Sequence, residues 1–372
     1  MKLTIERAEL LRALNHVQSV VERRNTIPIL SNVLLEARDG ELNLTATDMD
    51  IAIIEKVTAA VDAPGSITAP AHTLYDIVRK LPDGSQVVFD ATGASDQLVL
   101  TAGRSRFTLQ TLPTDDFPVM TGGDMPHSFV LGASEMKSLI DRTRFAISTE
   151  ETRYYLNGIF VHTTEENGVQ VLRGVATDGH RLARVEMPAP DGSLGMPGVI
   201  VPRKAVNELR KLIDEMVDPI SISLSETKIR FAFGDAVLTS KLIDGTFPDY
   251  ERVIPTGNDK SIGFDCRNFA EAVDRVSTIT TEKMRAVKMS MGDNVMTLSA
   301  SSQDNGTAVE EISIDYDGGI IEIGFNSRYL LDIAQQIESG SAEFSVADAA
   351  SPTIVRDTED MSALYVLMPM RV

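Results

Sequence analysis

Short runs of alternating apolar and polar residues are separated along this chain by six longer segments with helical periodicity. Alternation with a period of two is typical of half-buried strands, whereas apolar residues at i, i+3, i+4 and i+7 indicate an amphipathic helix. The six predicted helices span Arg7–Ser19, Ala71–Leu81, Ala133–Ala146, Pro202–Asp214, Cys266–Thr280 and Asn326–Ile337. They begin 60 to 69 residues apart, and this regular spacing over the whole chain indicates that one supersecondary unit is repeated.

The six units pair into three larger copies. The first half of each copy is a strand, a turn with glycine or asparagine, a second strand and a polar bend into a third strand, which is typical of a β-meander. These first halves are Ser31–Ile53, Asn157–Val185 and Val287–Ile312. The second halves repeat a helix followed by paired strands, within Asp76–Met120, Glu208–Ile254 and Asp332–Val372.

Glycine, proline and charged residues cluster at Thr121–His127 and Pro255–Lys260, where we expect domain boundaries. The sequence therefore predicts an α+β protein of three repeated domains, each with two helices packed on antiparallel sheets. The predicted domains are 1–121, 128–254 and 255–372.

The composition is that of a soluble globular protein, with 43% hydrophobic and 24% charged residues. The apolar runs fall short of the roughly 18 residues that a membrane span requires, and the N-terminus has no apolar signal core. The single cysteine, Cys266, excludes an intrachain disulfide and a multi-cysteine metal site. We therefore expect a cytoplasmic protein with no membrane partner.

The net charge of −19 is unevenly distributed. The six predicted helices together carry +5, so the rest of the chain carries −24. One interpretation is only that helices favour lysine and arginine. The other is a weakly basic helical surface inside an acidic shell, which would bind DNA poorly as a free ligand but could hold it by surrounding it.

Signals for catalysis are weak. Phosphate-loop, nucleophile-elbow and zinc-protease motifs are absent from the sequence, and the five histidines lack metal-ligand spacing. Asp48 and Asp50 fit solvated turn residues. Asp178 and His180 could act as an acid–base pair in a β-rich hydrolase, although a turn capped by Asp178 is the simpler interpretation. The sequence predicts no catalytic residues, no cofactor and no metal site.

Seven blocks of sequence point to a family. They are TIPILSNVLL (Thr26–Leu35), SRFTLQTLP (Ser105–Pro113), RYYLNGIF (Arg153–Phe160), VATDGHRLA (Val175–Ala183), VPRKAV (Val201–Val206), FPDYERV (Phe247–Val253) and MPMRV (Met368–Val372). With these blocks in this order over its whole length, the chain resembles the bacterial DNA polymerase III beta subunit, the replicative sliding clamp.

The resemblance implies a head-to-tail homodimeric ring that encloses duplex DNA without reading its sequence. Its helices would line the hole, and its sheets would form the outside. A clamp loader would open it with ATP, and it would tether DNA polymerase subunits, the associated 3′–5′ exonuclease complex and repair proteins to nucleoid DNA. It would be a processivity factor and not an enzyme. A scaffold ring that never meets DNA is the remaining structural alternative.

The resemblance also implies sites. Partner proteins would insert a short peptide motif into an apolar pocket between the second and third domains, where flexible methionines suit varied side chains. The matching residues are Leu156, Thr177, Gly179, His180, Arg181, Leu182, Pro248, Arg252, Val253, Val366, Met368, Pro369, Met370 and Arg371. Many relatives end in leucine where this chain has Val372.

The DNA contacts of the family match Arg24, Tyr154, Tyr155, Arg203 and Lys204, with Arg23 and Arg153 as neighbours. Arginine and lysine reach phosphates without reading bases, as sliding requires. Glu150 departs from the family pattern, and an acid at this position disfavours a direct phosphate contact. Phe107 and Ile279 match apolar positions of the dimer interface.

Overall fold

A computed structural model of the chain describes residues 1–93, 96–120, 123–214, 216–281 and 285–371. All six predicted helices are confirmed within this part of the chain. They span Arg7–Val17 (α1), Ala71–Lys80 (α2), Ala133–Asp141 (α3), Arg203–Leu212 (α4), Cys266–Ser277 (α5) and Ser327–Ala334 (α6). Each ends before its predicted end, because the apolar periodicity continues into tighter turns such as the 3₁₀ turns Gln18–Val20 and Arg144–Ala146.

The start of three helices is fixed by a side-chain cap. Glu6 accepts a hydrogen bond from the Ala8 amide (2.6 Å), and Asp265 accepts one from the Asn268 amide (2.7 Å). Asn326 caps α6 in the same way. A cap satisfies an amide that has no partner inside the helix, and contributes about 1 kcal/mol.

Strands fill the segments between the helices, as the alternating patterns predict. In chain order they are Lys2–Glu6 (β1), Asn32–Arg38 (β2), Glu41–Thr47 (β3), Ile51–Thr58 (β4), Ala60–Ala63 (β5), Gly65–Pro70 (β6), Gln86–Asp90 (β7), Gln97–Ala102 (β8), Ser105–Gln110 (β9), His127–Leu131 (β10), Gly158–Glu166 (β11), Val169–Thr177 (β12), Arg181–Pro188 (β13), Val199–Pro202 (β14), Ile220–Leu224 (β15), Lys228–Phe233 (β16), Ala236–Lys241 (β17), Lys260–Asp265 (β18), Ala286–Gly292 (β19), Val295–Ser302 (β20), Gly306–Asp315 (β21), Ile321–Asn326 (β22), Ser341–Val346 (β23), Thr353–Asp357 (β24) and Ala363–Leu367 (β25).

The strands form three antiparallel sheets. One has the order β5-β1-β7-β8-β9, the second β10-β15-β16-β17-β4-β3-β2-β6, and the third β14-β11-β12-β13-β25-β24-β23-β18-β21-β20-β19-β22. The predicted α+β class with antiparallel sheets is confirmed.

Two compact units make up the chain: residues 1–137, 190–193 and 204–242 form one, and residues 138–189, 194–203 and 243–372 form the other. This division cuts across the three sequence copies because strands pair between copies. In the first unit β17 pairs with β4, and in the second unit β25 pairs with β13. Of the predicted boundary at Thr121–His127, residues Thr121 and Gly122 lie outside the described part of the chain, as does Val372.

The three meanders have the same first turn. Its two central residues are Asp39 and Gly40 in the first copy, Asn167 and Gly168 in the second, and Asp293 and Asn294 in the third. All six have positive φ, between 51° and 81°. Two successive positive φ angles define the type I′ turn, whose twist matches that of the flanking strands.

No helix among the described residues has both the length and the apolar character to cross a bilayer.

Asp357 ties the end of β24 to the chain that leaves α6. Its carboxylate accepts hydrogen bonds from the backbone amides of Glu338 and Ser339, both at 3.0 Å, and of Glu359 at 2.9 Å. Burial by itself would raise the pKa of Asp357, but these bonds outweigh it and lower the pKa to about 2. The anchored strand β24 pairs with β25, whose end forms part of the candidate site.

We predict that Asp357→Asn destabilises the second unit at pH 7, and only about half as much at pH 3. Because the folded pKa lies below the unfolded value, the carboxylate stabilises the fold above pH 4 and loses this effect as pH falls toward 2. A pKa difference of this size between the folded and unfolded states corresponds to about 2 kcal/mol of folding stability at pH 7. Urea unfolding followed by circular dichroism at both pH values measures the difference, and an equal loss at both would contradict the assignment.

Candidate functional site

A buried apolar cluster lies in the second unit where β12, β13 and β25 run side by side. Leu182 on β13 lies opposite Val366 on β25, and Leu156 precedes β11. These three predicted pocket residues therefore belong to one cluster. Its other buried members are Val175, Ile200, Phe247, Tyr250, Ile354 and Leu364.

The sequence analysis did not assign Phe247 and Tyr250 to the site, although both occur in the FPDYERV block. The Phe247 ring stacks on Phe160 with centroids 4.9 Å apart. The Tyr250 hydroxyl lies 3.0 Å from Nε2 of His162. Two aromatic side chains thus hold the segment that carries Pro248, Arg252 and Val253 against the sheet.

The exposed rim above this cluster consists of other predicted residues. Gly179, His180, Pro248, Arg252, Val253, Met368, Met370 and Arg371 are all exposed. The Met368 amide donates to the His180 carbonyl at 2.9 Å, which extends the β13–β25 pairing by one bond and sets two rim residues side by side. Met370 then pairs with Gly324 on β22. The structure therefore combines an apolar floor with a rim that is partly methionine, a combination typical of ligand-binding sites.

The bend from β12 into β13 has a tightly determined shape. The Thr177 hydroxyl donates to the Arg181 carbonyl, and Asp178 accepts from the amides of His180 (2.9 Å) and Arg181 (3.0 Å). Gly179 has φ +88°, and a Cβ there would lie 2.6 Å from Nη1 of Arg153. Because the Asp178 carboxylate is committed to this bend, the geometry favours the turn interpretation over an acid–base pair with His180.

Arg181 is buried instead of lining the rim. Its guanidinium bonds to Asp178, Asp332 and the Phe145 carbonyl. It also lies over the Tyr329 ring, 4.3 Å from the centroid. Arg181 therefore joins the bend to α6, and it fixes the position of His180 and Leu182 on either side.

A cavity of about 490 Å³ opens beside Arg181. It is lined by Arg144, Phe145, Ile147, Ser148, Thr149, Glu150, Asp178, His180, Arg181, Arg203, Arg328, Tyr329 and Asp332. Arg203, predicted to contact DNA, is exposed there; its backbone amide donates to the Asn157 carbonyl at 2.9 Å, and among the described residues its guanidinium has no polar partner.

Tyr154 and Tyr155 pack edge to face, with ring centroids 5.8 Å apart, and the Tyr154 side chain is exposed. Glu150 forms a two-point ion pair with Arg153, at 2.6 and 2.8 Å. The hydrogen bonds from Arg153 lower the pKa of Glu150, which is therefore a carboxylate at neutral pH. The ion pair with Arg153 neutralises Glu150, the acid that the sequence analysis identified as atypical.

Lys204 lies in the first unit, and its ammonium group is fully occupied. It donates to Asp48 (2.6 Å), Glu22 and the Val20 carbonyl, which uses all three of its N–H groups. Burial would lower the pKa of Lys204, but the bonds to Asp48 and Glu22 outweigh it and raise it. Lys204 could reach a phosphate only by giving up one of these acceptors. Arg24, in contrast, is exposed in a bend after α1.

The predicted interface residues are both half-buried. Phe107 lies on β9, an edge strand of the five-stranded sheet, and Ile279 follows α5. Within the described residues, no group of three or more histidine, cysteine, aspartate or glutamate side chains could hold a metal ion.

Comparison with known proteins gives a consistent result. Three family models match: the N-terminal, central and C-terminal domains of the DNA polymerase III beta subunit, over residues 1–121, 130–249 and 251–371. The chain is 57% identical to the beta sliding clamp of Caulobacter vibrioides and 38% identical to that of Escherichia coli K12, in both cases over the full length of both chains.

Solved structures agree. The sliding clamp of Bartonella birtlesii bound to griselimycin is 51% identical with a TM-score of 0.97, and Caulobacter crescentus pol III beta is 57% identical with a TM-score of 0.95. Both matches cover all of both chains. The chain therefore belongs to the DNA polymerase III beta subunit family, the DNA sliding clamps that serve polymerases as non-catalytic processivity factors.

Proposed function

We propose that this protein encircles duplex DNA as a head-to-tail homodimer and tethers DNA polymerase subunits and repair proteins to it. A clamp loader would place the ring on DNA in the cytoplasm, where it would move along nucleoid DNA. The pairing of strands between sequence copies is the observation that carries this proposal. We also propose three domains, at 1–121, 128–254 and 255–372, and the separate matches of three family models support this organisation.

The two pairings between copies follow one rule. In each, the third strand of a first half pairs with the third strand of a second half: β4 with β17 and β13 with β25. By the same rule the remaining pair is β21 with β9. β9 is an edge strand, and β21 pairs with β18 only at Asp315 and Ile314. Both strands therefore have backbone groups available to a second chain.

The register of this third pairing follows from the other two. Ile51 lies opposite Ser240, and Arg181 lies opposite Leu367. The corresponding positions are Gly306 on β21 and Leu109 on β9, because each holds the same place in its own hairpin. This register sets Ala308 opposite Phe107 of the partner subunit. Such an interface, repeated by the two-fold axis, closes a ring of two chains.

Side chains along the two strands complement each other. Val309 on β21 is 66% exposed, although it is apolar. Glu311 is exposed on the same strand, and Arg104 and Arg106 are exposed at β9. Apolar burial with opposite charges at the rim favours this pairing over a contact of two like edges.

We predict that Phe107→Asp converts the dimer into a monomer. A carboxylate at this position would have to be buried against Ala308 without a partner, which disfavours association. Sedimentation equilibrium measures the mass. Val130→Asp is the matched control, since Val130 is an exposed apolar residue on another edge strand, β10, and should leave the dimer intact. A dimeric Phe107→Asp protein would contradict the proposed interface.

The apolar floor and methionine rim of the second unit support a peptide-binding role. Leu156, Leu182 and Val366 belong to this buried floor, and Met368 is 39% exposed above them. The sliding clamp of Bartonella birtlesii has been solved bound to griselimycin, and we propose that this compound binds the pocket described here and can serve as its probe. The remaining proposed residues surround or support this floor. They are Thr177, Gly179, His180, Arg181, Pro248, Arg252, Val253, Pro369, Met370 and Arg371.

We predict that Met368→Lys weakens griselimycin binding by about tenfold or more, because a charged group would replace an apolar contact. Isothermal titration calorimetry measures the affinity. Met361→Lys is the control, since Met361 is also an exposed methionine of the second unit but lies before β25, outside the pocket. Equal affinity of the Met368→Lys and Met361→Lys proteins would argue against this pocket.

For DNA, the exposure of Arg24, Arg203 and Tyr154 supports contact with phosphates and bases. Tyr155 packs behind Tyr154, and we propose that Lys204 contributes mainly by fixing the start of α4. The weak positive charge of the helices suits a protein that is retained by topology more than by affinity.

We predict that wild-type protein, loaded with clamp loader and ATP, stays on nicked circular DNA and leaves once the circle is cut. The double variant Arg24→Gln/Arg203→Gln should load less at 0.2 M salt, since each lost phosphate contact removes a released counterion. Gel filtration of the loaded DNA measures retention. Arg38→Gln, an exposed arginine at a hairpin end, is the control. Equal retention on circular and cut DNA would rule out encirclement.

A further inference from the structure

A second buried arginine, Arg173 on β12, lies at the centre of a polar cluster behind the apolar pocket. Its side chain is only 1% exposed. Nε donates to Glu186 at 2.8 Å, Nη1 donates to Glu251 at 2.9 Å and to the Tyr250 hydroxyl at 3.3 Å, and Nη2 donates to Glu166. A planar fork with five N–H donors can serve four acceptors in this way, whereas an ammonium cannot.

The four acceptors come from three different places. Glu166 and Glu186 are on β11 and β13, the two neighbours of β12 in the sheet. Tyr250 and Glu251 lie in the 3₁₀ turn Tyr250–Val253, 77 and 78 residues further along the chain. Arg173 therefore ties the segment that crosses the sheet to the strands beneath it.

This segment has few other attachments. Ile243 donates its amide to the Ile200 carbonyl at 3.0 Å, but among the described residues the backbone of 244–253 makes no hydrogen bond to the sheet. The segment is held by Phe247, by Tyr250 and by the bonds of Arg173. Because its turn presents Arg252 and Val253 to the rim, whatever holds Tyr250 and Glu251 also sets the position of the pocket wall.

The Tyr250 hydroxyl connects the cluster to His162. Burial lowers the pKa of His162, so its imidazole is neutral at pH 7 and Nε2 can accept the Tyr250 proton. Burial also raises the pKa of Tyr250, which keeps the phenol protonated. The Tyr250 hydroxyl thus accepts a hydrogen bond from Arg173 and donates one to His162, and both bonds restrain the position of its ring.

Stability alone does not account for such a cluster. Removing a guanidinium from water has a large free-energy cost, and replacing a buried ion pair with apolar side chains is often neutral or stabilising. What a charged fork adds is geometry: it fixes four acceptors in one plane. We propose that Arg173 is a positioning residue of the partner pocket, which holds the wall formed by residues 247–254 in its peptide-binding position. This inference rests on the proposed peptide-binding role of the pocket.

The test compares Arg173→Met with Arg142→Met. Arg142 is a matched control because it is also a buried arginine of the second unit. It bonds to Asp360 (2.7 Å), Ser362 (3.0 Å) and Tyr365, outside the 247–254 segment. Griselimycin affinity is measured by calorimetry, and hydrogen exchange reports on the amides of residues 247–254, both well below the unfolding temperature.

We expect Arg173→Met to weaken griselimycin binding about tenfold, the equivalent of one lost charge-assisted hydrogen bond, and to accelerate exchange in 247–254. Arg173→Lys should recover part of the affinity. Arg142→Met should lower thermal stability but leave the affinity and this exchange unchanged. If Arg173→Met fails to fold, Tyr250→Phe and Glu251→Gln test the same bonds singly and should each cause a smaller loss.

Two results would overturn the inference: an affinity of Arg173→Met within twofold of wild type, or an equal loss in Arg142→Met. The Met368→Lys variant distinguishes failure of the proposed Arg173 role from failure of the proposed pocket. If Met368→Lys also binds griselimycin like wild type, the pocket proposal fails and the role of Arg173 with it. If only Met368→Lys loses affinity, the pocket stands and Arg173 has no positioning role.

Discussion

Pairing between the third strands of different sequence copies is the constraint on which the rest of this structure depends. A meander of three strands leaves an edge whose amides and carbonyls need partners. β4 meets this need with β17, and β13 meets it with β25. Each pairing joins two copies in one continuous sheet. The same requirement at β9 and β21 has no solution of this kind among the described strands, and it is the physical basis on which we propose that a second chain associates.

The two pairings share the same pattern of backbone hydrogen bonds but differ in their side chains. In the first, the Lys241 amide donates to the Asp50 carbonyl at 2.8 Å; in the second, the Met368 amide donates to the His180 carbonyl at 2.9 Å. The side chains then diverge. Asp50 and Lys241 form an ion pair at 2.9 Å, whereas Met368 is apolar. Of the two pairings, the second therefore places a methionine at the rim over a buried apolar floor, which is the reason that we propose peptide binding at this copy of the repeated bend.

Buried arginines organise the second unit around this site. Arg181 links the bend at Asp178 to Asp332 on α6, and Arg173 links the sheet to the segment at Tyr250. Each guanidinium satisfies acceptors that are distant in sequence, so the two sides of the pocket are held by polar bonds while its floor remains apolar. An apolar floor alone would tolerate several arrangements of its walls, since hydrophobic contact has little directionality.

The sequence by itself determined the local elements and the family. Six helices, three meanders and the turns within them could be predicted because periods of 3.6 and 2 and the presence of Asn or Gly at a turn are local properties. The seven blocks identified the family because they too are local stretches of sequence.

What the tertiary structure decided is which groups meet. Alternation shows which face of a strand is buried but not which strand lies beside it. The partners of Arg181 and Lys204 lie 151 and 156 residues away, and no local pattern marks Tyr250 as the partner of Arg173. The sequence could therefore suggest Lys204 as a free cation and Arg181 as a rim residue, whereas long-range packing neutralised the first and buried the second.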